Sequence, residues 1–595
     1  MLCKSKFTIK GNTSFQLYLL RSVAIKALLR NYSFYNVKIY REMKTSTMET
    51  TIEYPKDNMY WFISFRQDIS NNIIARDRTY ERDLNWLLDN IKKDIKSTYL
   101  DLEKRISSEI NAKTVLNTAS LYNLRLDQAN DLLTLNVKLD YNGGSGLILS
   151  EQRVGKSRVA IALASMRLEA GNLAIIISPK SAQIGWLDEI IKMNNYRIPA
   201  DTYISGGCIS KIKDIKDIKI REKSINIFCI TYDIFKKLTT SQMKQLACLD
   251  RVKKLMLIVD EAHRLRNFTT LQSSAIFTFK NIVRKSKIDL YTIGMSGTPA
   301  VKSSEDIFGM LSLINESNVR LNPYINDFNE FKEYFYICED TSFGKKCKAL
   351  KRESELNYII KLCSVQTKQR DLDFFKNYKK EYKKIELDMD EEQKIIYDSV
   401  KEDMEFEDDI DCQNKLVQLV RLQQICTDPS GLVASYELVA PKFKWILEFL
   451  NKQKDIKILV MSKRTKTLET LYKLLISNGI TTGLLKGSEN LSNRKSIISE
   501  FKSYDINRVL LIQQDVGKEA LTLPEARVTV FLDRDFAQGN NEQAEARMTP
   551  IDGKPHKKYV VDLVMKNTIE EEIYDKLVIR KESINSINSV YRKES

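Results

Sequence analysis

Histidine is almost missing from this chain: His263 and His556 are the only two in 595 residues. Two imidazoles cannot build a histidine-rich metal centre, so acid–base chemistry must fall to carboxylates or to a bound metal. The nine cysteines (Cys3, Cys208, Cys229, Cys248, Cys338, Cys347, Cys363, Cys412 and Cys426) are scattered. None forms the close CxxC pair that brings two thiolates onto one zinc ion, and they read as reduced core or surface thiols. Long apolar runs are absent too. Phe15 to Leu29 comes nearest, but Arg21 and Lys26 interrupt it and no small-residue cleavage site follows. That argues against export or membrane insertion and for an amphipathic helix. Proline (10) and glycine (20) are sparse, there is no low-complexity tract, and 43% of residues are hydrophobic, so burial can offset the entropy of ordering the chain.

Basic residues are abundant instead. Lys and Arg number 94 against 78 Asp and Glu, a formal net charge of +16. Such a field raises the local concentration of polyanions, which makes nucleic acid the first partner to consider, against the plainer reading of a lysine-rich solvated surface. The length exceeds what one hydrophobic core supports, since chains divide into domains of roughly 100 to 200 residues, and three or four compact units are expected.

Up to about Lys113 no chemical motif appears. A helical pattern gives way to alternation through Val37–Tyr40 and Tyr60–Phe65, and then to a charged helix from about Arg76, which together read as an α+β accessory domain, 1–113. Short apolar runs then alternate with helical stretches. Gly146–Leu149, Ala174–Ile177, Ile227–Ile230, Leu255–Val259 and Tyr291–Met295 read as buried parallel strands of one α/β lobe, 114–302. Long charged helices with Tyr and Phe follow as a helical insertion and linker, 303–440. Strand-like runs return at Ile456–Met461, Thr482–Leu485, Val509–Ile512 and Val528–Leu532, in a second lobe, 441–595.

Residues 150–157 read SEQRVGKS, after one of these strands and at the start of a helix. There the backbone N–H groups, Gly155 and the Lys156 ammonium would hold the β- and γ-phosphates of a nucleotide, with the Ser157 hydroxyl on Mg²⁺. A bare GKS also recurs by chance, and Ser150 stands where the general pattern has its first glycine. Farther on, the strand Leu255–Val259 delivers Asp260 and Glu261 to its carboxyl end, where open α/β sheets place ligands. Asp260 would hold Mg²⁺ through water, and Glu261 would orient and deprotonate the attacking water. For an isolated Asp-Glu pair the plain alternative is an acidic surface loop.

DEAHRLRN at 260–267 resembles the DEAH box and following basic stretch of Swi/Snf-type members of helicase superfamily two, and SGTP at 296–299 resembles their motif III. LQQICTDP at 422–429 resembles the helix end that precedes the second lobe in that family, and Gln366-Thr367-Lys368 its linker. The resemblance runs from about Leu124 to Tyr574. It implies an α/β fold of two RecA-like lobes with parallel sheets and helical insertions between them, behind the N-terminal α+β domain. It implies ATP and Mg²⁺ as cofactors and double-stranded DNA as partner; it leaves 1–113 unexplained, and protein partners are an expectation for that domain. Gln128 would present its amide to adenine, against the plainer reading of an exposed helix residue. Ser178, Pro179 and Lys180, Thr231 and Tyr232, and Lys486 and Gly487 would face the DNA backbone. Arg547, in the QAEAR run at 543–547, would reach the γ-phosphate across the cleft. The sequence departs from the family where motif V reads QQDVGKEAL at 513–521, where Pro550 replaces a second motif VI arginine, and where Arg153 stands in place of a glycine.

The basic, aromatic run Lys376–Lys384 is either a phosphate-tracking element or a solvated linker. The leading expectation is an ATP-driven motor that moves on duplex DNA to remodel DNA or protein–DNA complexes. A strand-separating DNA or RNA helicase and a hydrolysis-deficient, nucleotide-gated DNA-binding protein stand as alternatives. The expected place of work is intracellular and soluble: cytoplasm or nucleoid, or host cytoplasm for a compact viral or phage member.

Overall fold

The computed structural model describes residues 4–11, 38–44, 47–55 and 109–577, except 196–202, 248, 250–251, 268, 298–305, 316–322, 342–343, 373–374, 376–377, 407–409, 413, 490, 504–507, 518–522, 537 and 550–555. Strands β1 (Lys4–Gly11), β2 (Lys38–Lys44) and β3 (Thr47–Pro55) form an antiparallel sheet in the order β1-β3-β2. Of the alternation at Val37–Tyr40, the residues from Lys38 open β2, and Val37 lies outside the described residues. The expected strand Tyr60–Phe65 and the helices at Phe15–Leu29 and from Arg76 lie outside the described residues.

The first lobe carries β4 (Ser145–Ile148), β5 (Leu173–Ser178), β6 (Ile204–Ile209), β7 (Ile225–Thr231), β8 (Lys254–Val259) and β9 (Asp289–Met295). Among the described residues its helices begin with α1 (Glu109–Leu121), α2 (Leu126–Tyr141), α3 (Lys156–Arg167) and α4 (Gln183–Asn194). Every strand pairing in its sheet is parallel. Side chains alternate between faces along a strand, so β8 feeds two cores at once: Leu255, Leu257 and Val259 enter one, Met256 and Ile258 the other. This two-sided burial is why these strands read as unbroken apolar runs. Each such buried aliphatic side chain contributes about 1.5–3 kcal/mol.

Residues 303–440 carry helices as expected, at Ile307–Ile314, Phe328–Phe335, Glu353–Cys363, Glu391–Glu402 and Lys415–Thr427, and strands besides. They hold a hairpin of β10 (Tyr336–Thr341) and β11 (Gly344–Leu350), β12 (Ser364–Val365), β13 (Tyr378–Leu387), and a small pair of β14 (Glu405–Phe406) and β15 (Ile410–Asp411). β12 is the edge of the first-lobe sheet, whose order is β12-β4-β9-β8-β5-β7-β6. β13 is the edge of the second-lobe sheet, in the order β13-β20-β19-β16-β18-β17, with β16 (Ile458–Ser462), β17 (Thr482–Leu485), β18 (Val509–Gln513), β19 (Val528–Phe531) and β20 (His556–Met565). That sheet is parallel too. From Tyr378 onward the basic run is therefore a strand rather than a linker. Its lysines suit an edge, where charge discourages pairing with other chains, and they mask the period-two pattern that marks inner strands.

Candidate functional site

Parallel order places the carboxyl ends of β4, β9 and β8 side by side, so the three motif-bearing loops that follow them converge. The loop after β4 turns through Arg153 (φ +64°) and Gly155 (φ +97°) into α3, whose first residue is Lys156. A Cβ on Gly155 would lie 2.2 Å from Gln128 Nε2, because Gln128 packs directly on the loop. That glutamine is only 2% exposed. Its Nε2 donates to the Val154 carbonyl at 3.3 Å and its Oε1 accepts from Arg125 N at 3.1 Å. The reading of Gln128 as an exposed helix residue is overturned; its amide here braces the phosphate loop.

Lys156 Nζ donates to the Glu151 carbonyl at 3.1 Å. A Cβ on Gly297 would come within 3.1 Å of the same ammonium, so the Ser296-Gly297 turn closes over it and only glycine leaves the room. Burial lowers the Lys156 pKa, Glu261, Asp260 and Glu151 oppose that shift, and the charge of Arg547 adds to it. Arg547 sits in a short turn, Ala546–Met548, of the second lobe, yet its charge bears on both Lys156 and Glu261. The cleft thus has the phosphate loop on one wall and Arg547 on the other.

Asp260 is held on three sides. Trp186 Nε1 donates to Oδ2 at 2.9 Å, Glu261 N to Oδ1 at 3.0 Å, and the Tyr232 hydroxyl to the Asp260 carbonyl at 2.7 Å. Burial, followed by the neighbouring Glu261 charge, pushes its carboxyl up to about 6. Glu261 goes the other way. Burial would raise it, but the contact with His263, with Lys156 and Arg547 behind it, holds it at about 2. Its Oε2 lies 3.2 Å from His263 Nδ1, and the same nitrogen lies 3.0 Å from Ser296 Oγ, which links the DEAH segment to the turn after β9. Glu261 also holds φ +50°, a conformation rare for a residue with a side chain and one that recurs at strained functional positions. Thr298 and Pro299 of motif III lie outside the described residues.

Three of the expected DNA-facing side chains are internal. Ser178 is fully buried at the end of β5, paired in register with Thr231. Thr231 is 5% exposed and its hydroxyl caps the next turn, accepting from Ile234 N. Tyr232 is 2% exposed and serves Asp260. Residues at the end of a central strand are covered by neighbouring strands that local sequence does not reveal. Pro179 is half-buried and Lys180 exposed. In the second lobe Gly487 is exposed, its N–H donating to Gln513 Oε1 at 3.0 Å, and Lys486 pairs with Glu469 at 2.8 Å.

Sequence reading gave Trp186 no part in nucleotide chemistry and passed over Asp131, which accepts from Ser150 Oγ at 3.2 Å and Thr367 Oγ1 at 2.8 Å. Ser150 in place of glycine was the one available hint. The glutamines of the altered motif V also have partners: Gln514 Nε2 donates to the Asp533 carbonyl at 2.6 Å, as Gln513 accepts from Gly487. The 422–429 segment docks on the second lobe through Gln423, which donates to the Arg534 carbonyl at 3.0 Å and accepts from Arg464 at 3.1 Å. Lys518–Leu521 and Pro550 lie outside the described residues.

Two parallel α/β lobes, with a phosphate loop and paired carboxylates on one and an arginine facing them from the other, define a two-lobed cleft of the kind that holds a nucleotide. The chain belongs to the SNF2-related domain family, whose pattern matches residues 64–431, and the helicase conserved C-terminal domain pattern matches 441–549. The first match begins ahead of Leu124 and takes in part of the stretch read as an accessory domain. Among curated proteins, the "DNA repair and recombination protein RAD54-like" of Drosophila ananassae is 23% identical over 76% of this chain and 60% of its own length. The "Probable ATP-dependent DNA helicase CHR23" of Arabidopsis thaliana is 24% identical over 74% of this chain and 41% of its own. The chain thus spans 60% of the one relative and 41% of the other. Among solved structures, "Sulfolobus solfataricus SWI2/SNF2 ATPase core in complex with dsDNA" aligns over 79% of this chain and 93% of that chain, at 18% identity and a TM-score of 0.34. Among the described residues no helix is long and apolar enough to cross a membrane.

Proposed function

We propose that this protein is a DNA-dependent ATPase that closes its two lobes on ATP and moves along duplex DNA, remodelling DNA or protein–DNA complexes. The observation that carries the reading is the convergence of Lys156, Asp260 and Glu261 on one wall of the cleft with Arg547 on the other. Lys156 is the point charge for the β- and γ-phosphates, reached from the helix start that Gly155 opens. Ser157 and Asp260 would hold Mg²⁺. One carboxylate and one hydroxyl beside a phosphate cradle are the donors that ion takes alongside a nucleotide, and it would neutralise phosphate charge there.

Glu261 orients the attacking water. Its carboxyl is held low by the contact with His263 and the charges of Lys156 and Arg547, so it stays ionised at working pH and can accept a hydrogen bond from that water. His263 and Ser296 fix its direction. Arg547 supplies charge from the opposite lobe to the transferred phosphoryl group, and such arginines are worth on the order of 10³ to 10⁵ in rate. We read Asp260–His263 as a DEAH-box variant, place Lys180, Pro179, Lys486 and Gly487 on the DNA-facing surface, assign Gln128 to the adenine end of the site, and assign 1–113 to protein partners. Work on DNA places the protein in the cytoplasm or nucleoid, or in the host cytoplasm for a viral or phage member.

The test is ATP hydrolysis measured with no polymer, single-stranded DNA, duplex DNA and RNA, with displacement of a third strand from a triplex as the readout of movement. Duplex DNA should stimulate most, and the triplex strand should be released without separation of the duplex. Stimulation by RNA, or unwinding of a fork without triplex release, would favour a strand-separating helicase. No hydrolysis on any polymer would leave a nucleotide-gated binding protein.

A further inference from the structure

Arg153 holds a left-handed backbone, φ +64°, that glycine adopts freely and that costs a residue with a side chain. The loop's own geometry therefore gives no reason for an arginine here; the reason lies in where the side chain goes. Its Nη1 crosses the cleft and donates to the carbonyl of Thr549 at 3.0 Å, two residues beyond Arg547. Thr549 is fully buried, and its Oγ1 lies 3.5 Å from the hydroxyl of Tyr378, the first residue of β13.

The segment joining the lobes packs at the same seam. Val154 of the loop is buried against Leu372 and Phe375, and the Phe375 ring lies 6.4 Å from that of Tyr378. Hydrogen bonds tie the loop and the linker together: Glu151 N donates to the Thr367 carbonyl at 2.9 Å, Gln369 N to Glu151 Oε2 at 2.8 Å, and Gln369 Nε2 to the Gln152 carbonyl at 2.8 Å. Loop, linker and second lobe thus meet at one place, and Arg153 is the loop side chain that spans it.

We propose that Arg153 is a positioning residue for Arg547: by joining the phosphate loop to the Thr549 carbonyl it couples the seating of the nucleotide's phosphates to the placement of the arginine on the opposite wall. The proposal rests on the reading of the cleft as an ATPase site. It separates two jobs that a phosphate-loop residue can have. A side chain that merely shapes the loop changes nucleotide affinity; one that spans the lobes changes turnover and leaves affinity alone.

The experiment uses the full chain with Arg153→Gly and Arg153→Lys, comparing the Kd for a fluorescent ATP analogue with the kcat of duplex-stimulated hydrolysis in the same preparations. Glycine keeps the loop's backbone, so Kd should stay near the parental value while kcat falls about 10-fold to 100-fold, the loss of one hydrogen bond from a charged donor. Lysine, which can still donate to a single carbonyl, should recover part of kcat, a rescue that general misfolding would not produce. A raised Kd with unchanged kcat, or an Arg153→Gly enzyme with parental kcat, would overturn the proposal alone. A parental chain that hydrolyses no ATP on any polymer would overturn the ATPase reading, and this proposal with it.

Discussion

Replacing Gly155 with alanine adds one methyl group at the tightest point of the nucleotide cradle. The backbone there has φ +97°, a left-handed conformation that costs L-residues roughly 1–2 kcal/mol. The new Cβ would also stand 2.2 Å from Gln128 Nε2, so that side chain must leave. With it go the bonds from Gln128 Nε2 to the Val154 carbonyl and from Arg125 N to Gln128 Oε1, each worth about 0.5–1.5 kcal/mol. The sum, about 2 to 5 kcal/mol against the binding-competent loop, corresponds to a loss of roughly 30-fold to a few thousand-fold in nucleotide affinity. Titration of a fluorescent ATP analogue measures it. Gln128→Ala alone should lose the hydrogen-bond share but not the backbone cost, and the double variant should bind better than the product of the two singles, because the methyl then enters vacated space. Independent, multiplicative effects of the two substitutions would refute the argument that Gln128 is what the glycine makes room for.

Arg547→Ala should abolish duplex-stimulated hydrolysis while nucleotide binding to the first lobe stays nearly parental, and Arg547→Lys should not restore it, since an ammonium lacks the planar fork; steady-state turnover checks both, and an active Arg547→Ala enzyme places the finger elsewhere. Glu261→Gln should bind nucleotide and duplex yet turn over at a small fraction of the parental rate, and a near-normal rate would remove the water-orienting assignment. Lys442, fully buried, bonds both Glu570 carboxylate oxygens at 2.7 Å. Lys442→Met should therefore cost about 3–5 kcal/mol in chemical denaturation and Lys442→Met with Glu570→Leu far less, because the single change strands a buried charge. Asp131 is pushed up to about 6, by burial first and by Asp127 in addition. A carboxyl raised above its unfolded value stabilises the fold fully below about pH 4 and loses that contribution as pH rises through 6, so Asp131→Asn should raise the melting temperature at pH 8 and have less effect at pH 5.

The sequence by itself determined the chemistry and the framework that carries it. Apolar runs such as Gly146–Leu149 and Leu255–Val259 are closed by polar residues, which is the local signature of parallel strands buried on both faces, and the residues beyond them, Lys156 after the first and Asp260 and Glu261 after the second, arrive at the carboxyl ends of one sheet as that pattern requires. Other elements carry no such local signature. β6 contains Gly206 and Gly207, β12 is two residues long, and β13 is lysine-rich; each is a strand only because of a partner distant in the chain, as Tyr378 pairs with His556. Burial at strand ends was decided in the same way. Ser178, Thr231 and Tyr232 look like surface polar residues in sequence and lie inside the fold, while Trp186 became the donor that orients Asp260. Arg153 shows the limit most directly: in sequence it is a misfit in a glycine position, and only the folded chain, with Thr549 brought across the cleft, supplies the contact that accounts for it. Local sequence encodes periodicity and residue chemistry, whereas pairing, burial and cross-lobe contacts depend on non-local approach, which the fold as a whole sets.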